Sequence, residues 1–159
     1  MIMRLPAEWE RQSGVMLTWP DETTPWYELE KVQECYGRII SAILRFEKVL
    51  LVTANIEAAT VRLNEIGVDT SKIQFQECPI NDTWARDHGA ITLMGGDKPV
   101  LLDFRFNGWG EKFGWQHDNA ITRHLCEQGL LHGSREDHDD MVLEGGSIES
   151  NGRGTVFTT

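Results

Sequence analysis

The chain has 159 residues, of which 40% are hydrophobic and 25% are charged, so a globular protein with a buried core is expected. Acidic residues outnumber basic ones by 25 to 15, and the net charge of −10 argues against a nucleic-acid partner. The charge suits a small cationic ligand, but on its own it is more simply explained by solubility. No apolar stretch reaches the roughly 18 residues that span a bilayer, and the N-terminus lacks the pattern of a secretion signal, so we expect a cytoplasmic protein without a membrane partner.

The chain is expected to begin with a strand, a long helix and a second strand. A short apolar run predicts the first strand over residues 13–19. Apolar side chains at helical spacing then predict an amphipathic helix over about 25–46, with Thr24 as its N-cap and Pro25 at its first position. The β-branched run Lys48–Thr53 predicts a strand that is buried on both faces.

Two more helices and a further strand follow along the chain. Asn55 is expected to cap a second helix that ends at Gly67, and residues 72–76 predict a third strand. A third helix is expected over about 118–129, with Asp118 as its cap. Strands and helices in this order predict an α/β protein with mixed sheets.

Two segments are expected to be loops. Residues 106–115 are rich in glycine and aromatic side chains, which suit either a pocket wall or a loop anchored to the core. Residues 132–140 are almost entirely charged or polar, so an exposed loop is predicted there.

Two short motifs each place a carboxylate two residues before a glycine and lead directly into a predicted β-hairpin. The first is Asn81-Asp82-Thr83-Trp84-Ala85-Arg86-Asp87-His88-Gly89, whose hairpin turns at Gly95-Gly96-Asp97. The second is Leu143-Glu144-Gly145-Gly146, whose hairpin turns at Asn151-Gly152. This repetition predicts a supersecondary unit that occurs about twice.

Asp87 and Glu144 hold matching positions in these motifs, so the two carboxylates are candidates for binding one cation. A planar guanidinium offers several N–H donors, which opposed carboxylates satisfy with charge-assisted hydrogen bonds. Trp84 could place its indole face against the same cation. The alternatives are a turn carboxylate for Asp87, an exposed strand-entry side chain for Glu144 and a core or loop-anchoring role for Trp84.

The cysteines and histidines give weaker indications of chemistry. Cys35 and Cys126 fall on predicted helices and are expected to be packing thiols, whereas Cys78 precedes the first motif and is a less favoured candidate nucleophile. His138 and the acidic residues around it suggest a metal-dependent hydrolase only loosely, because their spacing matches no zinc motif. We therefore expect no metal site and prefer a solvated acidic loop there.

Four segments together make the chain similar to the agmatine deiminase family, which is grouped with the Porphyromonas-type peptidylarginine deiminases. The resemblance runs along essentially the whole chain and is carried, in order, by Pro6-Ala7-Glu8-Trp9-Glu10, Val15-Met16-Leu17-Thr18-Trp19-Pro20, Asn81-Asp82-Thr83-Trp84-Ala85-Arg86-Asp87-His88-Gly89 and Leu143-Glu144-Gly145-Gly146-Ser147-Ile148-Glu149. It implies a pentein-type α/β propeller with five ββαβ-like modules. Residues 1–159 would supply roughly two of them, as the N-terminal part of a single propeller domain with no separate second domain.

The resemblance also implies a reaction and roles for particular residues. Members of the family hydrolyse a guanidinium to a ureido group and release ammonia, so that agmatine gives N-carbamoylputrescine, a step toward putrescine, without a metal or organic cofactor. Asp87 matches the carboxylate that grips the guanidinium, and Glu144 matches the acidic residue before Gly-Gly at the same site. Trp84 and Asp82 fall in the substrate-lining part of the first motif.

A small cationic guanidino compound is therefore the expected partner, with agmatine favoured over arginine and peptidyl-arginine. The family's cysteine nucleophile and proton-shuttling histidine are expected in a later segment, so this chain alone is expected to be inactive or nearly so. Exposed module faces of an incomplete propeller predict self-association, for example as a homo-oligomer. The alternatives are an inactive guanidinium- or amine-binding or interaction module, a peptidyl-arginine deiminase and, ranked last, a metal-dependent hydrolase.

Overall fold

The computed structural model describes residues 3–159, which form two compact units. Residues 12–85 form one unit, called here the parallel-sheet unit. Residues 3–11 and 86–159 form the other, called the hairpin unit. Both contain strands and helices, and their sheets include parallel and antiparallel pairs, so the predicted α/β class with mixed sheets is confirmed.

The parallel-sheet unit is built on three parallel strands in the order β1-β2-β3, which are Gly14–Thr18, Lys48–Thr53 and Ile73–Glu77. Helix α1, Leu29–Ile43, connects β1 to β2, and helix α2, Ile56–Glu65, connects β2 to β3 with a 3-10 turn at Thr70–Lys72. Parallel neighbours require crossovers of this kind. The predicted strands and helices of this region are therefore confirmed as two βαβ units.

The core of this unit lies where α1 and α2 pack on the sheet. Strand β2 is buried from Val49 to Thr53, as its unbroken apolar run predicts. The other buried apolar side chains of this core are Trp19, Ile40, Ala59, Leu63, Val68 and Ile73. Each large side chain stabilises the fold by about 1.5–3 kcal/mol through burial. Ile73 belongs to this core, so the core holds β3, after which the chain continues to Asp82.

The start of α1 differs from the prediction. The helix begins at Leu29, several residues later than expected, and Thr24 is not its N-cap. Thr24 Oγ1 instead donates to the carbonyl oxygen of Asp21 at 2.6 Å and accepts from the Asp21 N–H at 3.2 Å. These local bonds between side chain and backbone hold the segment in a turn, which competes with helix formation.

The hairpin unit contains both predicted hairpins. Strands β4, Ile91–Leu93, and β5, Val100–Arg105, pair antiparallel. Strands β7, Ile148–Ser150, and β8, Val156–Thr158, pair in the same way, after a 3-10 turn at Gly145–Ser147. Both predicted hairpins are therefore confirmed.

The segment 132–140 contains a strand instead of the predicted loop. Strand β6, Ser134–Val142, pairs parallel to β5, with Leu101 opposite Arg135. Most of its side chains are exposed, as predicted, but the backbone of β5 provides a ladder of hydrogen-bond partners. The prediction failed because β6 lacks the apolar alternation by which strands are recognised.

Two of the remaining helices are single turns. Helix α3, Ala85–His88, begins at the last residue of the parallel-sheet unit, and helix α4, Gly108–Glu111, lies within the predicted loop 106–115. Helix α5, Gln116–Glu127, begins earlier than predicted, and Asp118 is buried inside its first turn rather than capping it. Within residues 3–159, no helix has the length and apolar character needed to cross a membrane.

Candidate functional site

The first motif contacts the second through Asp87. Asp87 lies on the single turn α3 and is half-buried. Its Oδ1 atom accepts a hydrogen bond from the backbone N–H of Gly146 at 3.0 Å. The two motifs are far apart in sequence, and this bond joins them.

Two glycines make this approach sterically feasible. A Cβ atom built on Gly145 would collide with the backbone carbonyl oxygen of Arg86, and one built on Gly146 would collide with Oδ1 of Asp87. The Gly-Gly pair of the second motif is therefore required by close packing against α3.

Glu144 stands at the start of the same turn and is half-buried. Its carbonyl oxygen accepts from the Ser147 N–H at 3.0 Å and from the Ser147 hydroxyl at 2.7 Å, which closes the 3-10 turn. The Glu144 side chain does not cap that turn. A role for the Asp87 and Glu144 carboxylates in cation binding stays a prediction.

Arg86 adds a contact that the sequence analysis missed. Its Nη2 atom forms an ion pair with Glu8 and donates a hydrogen bond to the Ile148 carbonyl oxygen at 3.1 Å. Glu8 belongs to the Pro6–Glu10 segment, which carries part of the family resemblance but for which no role was predicted.

His88 is the second residue whose role the sequence analysis missed. Its side chain is buried, and its ring lies 6.1 Å from the ring of Phe106. Its carbonyl oxygen accepts from the Thr122 hydroxyl at 3.5 Å. Burial lowers the pKa of His88 to about 4, so the imidazole is neutral at pH 7. The buried ring anchors the end of α3 in the core.

Burial of His88 is expected to make the protein less stable in acid. Because its pKa is about 4 when folded against an ordinary 6.5, the unfolded state binds more protons between these values, and the free energy of unfolding falls as the pH falls. This pKa difference between the folded and unfolded states corresponds to a loss of about 3 kcal/mol in the free energy of unfolding once the pH is below both values. Urea unfolding at several pH values should show this slope, reduced in His88→Gln and unchanged in His132→Gln, an exposed control. An equal slope in His88→Gln and the wild type would contradict the assignment.

Asp82 lies in the parallel-sheet unit and is buried. Its Oδ1 atom accepts from the Thr83 N–H at 2.7 Å. Burial raises the pKa of the Asp82 carboxyl group, and hydrogen bonds from Thr83 and from the Trp84 side chain act in the opposite direction. Asp82 therefore organises its own loop, and a role in substrate binding stays a prediction.

Trp84 is 47% exposed, so the alternative of a core tryptophan is wrong. Its ring lies 6.1 Å from that of Trp26, at an interplanar angle of 33°. Trp26 Nε1 donates to the Thr83 hydroxyl at 3.3 Å, and the Tyr36 hydroxyl donates to the Thr83 carbonyl oxygen at 3.4 Å. Aromatic side chains thus hold the backbone at Thr83, next to the exposed Trp84.

The cysteines differ in their environments. Cys35 is exposed on α1, so the prediction of a packing thiol is wrong there. Cys78 is buried, and Cys126 is half-buried with its thiol pKa raised by burial. Among residues 3–159, no group of three or more His, Cys, Asp or Glu side chains is arranged to hold a metal ion.

Together, the fold and the site define an α/β protein in which a glycine turn joins two carboxylate-bearing motifs. The chain belongs to the Porphyromonas-type peptidyl-arginine deiminase family, whose profile matches residues 4–159. The resemblance to this family and to agmatine deiminases is thereby confirmed.

Individual relatives agree with this assignment. The agmatine deiminase of Pseudomonas aeruginosa strain LESB58 is 34% identical, over 98% of this chain and 43% of the relative. The structure of a Cys→Ser variant of C. jejuni agmatine deiminase with substrate bound is 33% identical, with a TM-score of 0.85 over 99% of this chain and 45% of that one. A Porphyromonas gingivalis structure, provisionally described as an arginine deiminase, is 41% identical, with a TM-score of 0.87 over 99% and 47% of the two chains. The chain thus spans less than half the length of these proteins.

Proposed function

We propose that the chain is the guanidinium-binding part of a deiminase, a hydrolase that cleaves a guanidinium C–N bond and releases ammonia. Agmatine is the favoured substrate and N-carbamoylputrescine the product, in putrescine biosynthesis. The hydrogen bond from Gly146 to Asp87 carries the proposal, because it joins the two carboxylate motifs. The agmatine deiminase of Pseudomonas aeruginosa, 34% identical to the chain, supports it.

Asp87 and Glu144 are proposed to bind the guanidinium. An ionised carboxylate accepts about four hydrogen bonds, so the Gly146 N–H leaves most of the acceptor capacity of Asp87 for a ligand. The backbone donor also fixes the orientation of this carboxylate before substrate arrives. Asp82 and Trp84 are proposed to contribute to substrate binding on the strength of the resemblance alone.

The chemical step is proposed to follow the family mechanism. A cysteine thiolate attacks the guanidinium carbon, and ammonia leaves with a proton that a histidine supplies. Water then hydrolyses the thiouronium, which yields the ureido product and regenerates the thiolate. We propose that these two residues come from a later segment. The buried Cys78 and the raised pKa of the Cys126 thiol make them poor nucleophiles.

The complete protein is proposed to be a pentein-type propeller, of which this chain supplies about two of five modules within one domain. Solved structures more than twice as long match the chain with TM-scores of 0.82–0.87, which supports a longer parent fold. The cytoplasmic location and self-association stay predictions.

Asp87→Asn tests the proposal directly. We expect calorimetry with agmatine to show an affinity about 30-fold lower than in the wild type, because a charge-assisted hydrogen bond to the ligand is lost. Asp97→Asn is the matched control, since Asp97 is an exposed aspartate at the tip of the first hairpin. Equal affinity in Asp87→Asn and wild type would refute the proposed site.

Peptidyl-arginine is the second candidate substrate, favoured by the name of the matching family. Both substrates carry the guanidinium, but at the opposite end agmatine has an amine where peptidyl-arginine has a peptide backbone. Ureido-product assays with agmatine, arginine and an arginyl peptide on the longer protein distinguish the candidates. Binding without turnover of any of the three would instead favour an inactive binding module.

A further inference from the structure

Two arginines fasten the second hairpin to the N-terminal segment, residues 3–11. At the hairpin tip, Arg4 forms two hydrogen bonds with the Glu10 carboxylate, at 2.6 and 2.8 Å, and donates to the Gly152 carbonyl oxygen at 3.1 Å. We call this set of contacts the tip bridge.

The second bridge lies at the opposite end of the same hairpin. Arg86 pairs with Glu8 and donates to the carbonyl oxygen of Ile148, the first residue of β7. We call this the entry bridge. Each bridge joins one arginine, one glutamate of the N-terminal segment and one hairpin carbonyl oxygen, so the two are matched in chemistry.

Only the entry bridge is continuous with the proposed site. The Arg86 carbonyl oxygen packs against Gly145, and the next residue, Asp87, accepts the Gly146 N–H. The Arg86 side chain then reaches Ile148. Two neighbouring residues of α3 therefore contact three successive points of the segment 145–148.

We propose that Arg86, held by Glu8, is a positioning residue that keeps the Gly146 N–H on the Asp87 carboxylate. The inference rests on the proposed function, because guanidinium binding by Asp87 is what makes its orientation matter. The side chains of Arg86 and Glu8 are 56% and 52% exposed, and ion pairs this exposed contribute little to overall stability. The entry bridge should therefore act on the geometry of the turn more than on folding.

The test compares Arg86→Ala with Arg4→Ala, which removes the chemically matched tip bridge. In Arg86→Ala, we expect the amide proton signal of Gly146 to move upfield in NMR spectra, because its charge-assisted hydrogen bond lengthens. Agmatine affinity should fall about 5- to 10-fold, the loss expected for one hydrogen bond. Arg4→Ala should leave the Gly146 signal and the affinity unchanged.

Two further variants keep the outcome decisive. Arg86→Lys retains a partner for Glu8 and should recover part of the affinity, and Glu8→Gln gives a milder version of the defect if Arg86→Ala fails to fold. An unmoved Gly146 signal in folded Arg86→Ala or Glu8→Gln would overturn the positioning role. If the wild type does not bind agmatine, the proposed function fails, whereas the Gly146 signal still decides the role of Arg86.

Discussion

Arg135→Met is expected to lower the free energy of unfolding by about 3 kcal/mol, the lower end of the cost of breaking a buried ion pair. Arg135 Nε donates to Asp103 Oδ2 at 2.6 Å, and the side chain of Asp103 is only 6% exposed. Methionine fills a similar space but leaves the Asp103 charge buried without this partner. Urea unfolding at pH 7 measures the loss.

The pH dependence of this variant has a defined sign. Burial raises the pKa of Asp103, and Arg135 acts against that rise. Without Arg135, the folded state takes up a proton more readily than the unfolded state, so acid should restore part of the stability. The deficit of Arg135→Met should therefore be smaller at pH 4 than at pH 7.

Arg105→Met is the matched control for that experiment. Arg105 pairs with Asp139 at 2.8 Å, but the two side chains are 44% and 51% exposed. Such exposed pairs contribute up to about 1 kcal/mol.

The double variant Asp103→Leu/Arg135→Met should recover most of the stability, because no unpaired charge then remains buried. If Arg135→Met costs no more than Arg105→Met, the Asp103–Arg135 ion pair does not stabilise the fold as a buried pair would.

Gly145→Ala is expected to weaken both the folded state and ligand binding at the proposed site. The added Cβ would meet the Arg86 carbonyl oxygen, which belongs to the backbone of α3 and cannot rotate away as a side chain would. Such overpacking costs about 1–3 kcal/mol. The turn should move off α3 and break the bond from Gly146 to Asp87, so we expect agmatine affinity to fall at least about 10-fold.

Calorimetry measures the agmatine affinity of Gly145→Ala, and thermal unfolding measures its stability. Gly96→Ala is the control, because the nearest atoms to a Cβ there lie at 3.5 and 3.6 Å, which is ordinary contact. Its stability should change by less than about 0.5 kcal/mol. Wild-type affinity in Gly145→Ala would show that the close approach of the turn is irrelevant to binding.

Local signals in the sequence predicted most elements of the fold correctly. Asn55 caps α2 through its side chain, which accepts from the Ala58 N–H at 2.9 Å, and Gly67 follows in the left-handed region at φ 82°. Both depend on residues within a few positions of each other. Strand β6 was missed because its pairing with β5 arises from the tertiary structure and leaves no apolar pattern in the sequence.

The candidate site was predictable only in outline. Repetition of a carboxylate-glycine pattern predicted that Asp87 and Glu144 bind one cation, and the structure shows that the two motifs are in contact through the bond from Gly146 to Asp87. The shared cation site stays a prediction. The contacts of Arg86 with Glu8 and Ile148 could not be predicted, because they join residues 78 and 62 positions apart. No local propensity encodes a partner at that distance.

The tip bridge also has a consequence for the order in which the chain folds. The parallel-sheet unit is one continuous stretch, whereas the hairpin unit joins residues from both ends of the sequence. Arg4 and Gly152 are separated by 148 positions, and contacts of such high sequence separation form slowly because a long loop must close first. On the ribosome, the contiguous unit can fold while the chain is still growing, but the tip bridge must wait until residue 152 has emerged.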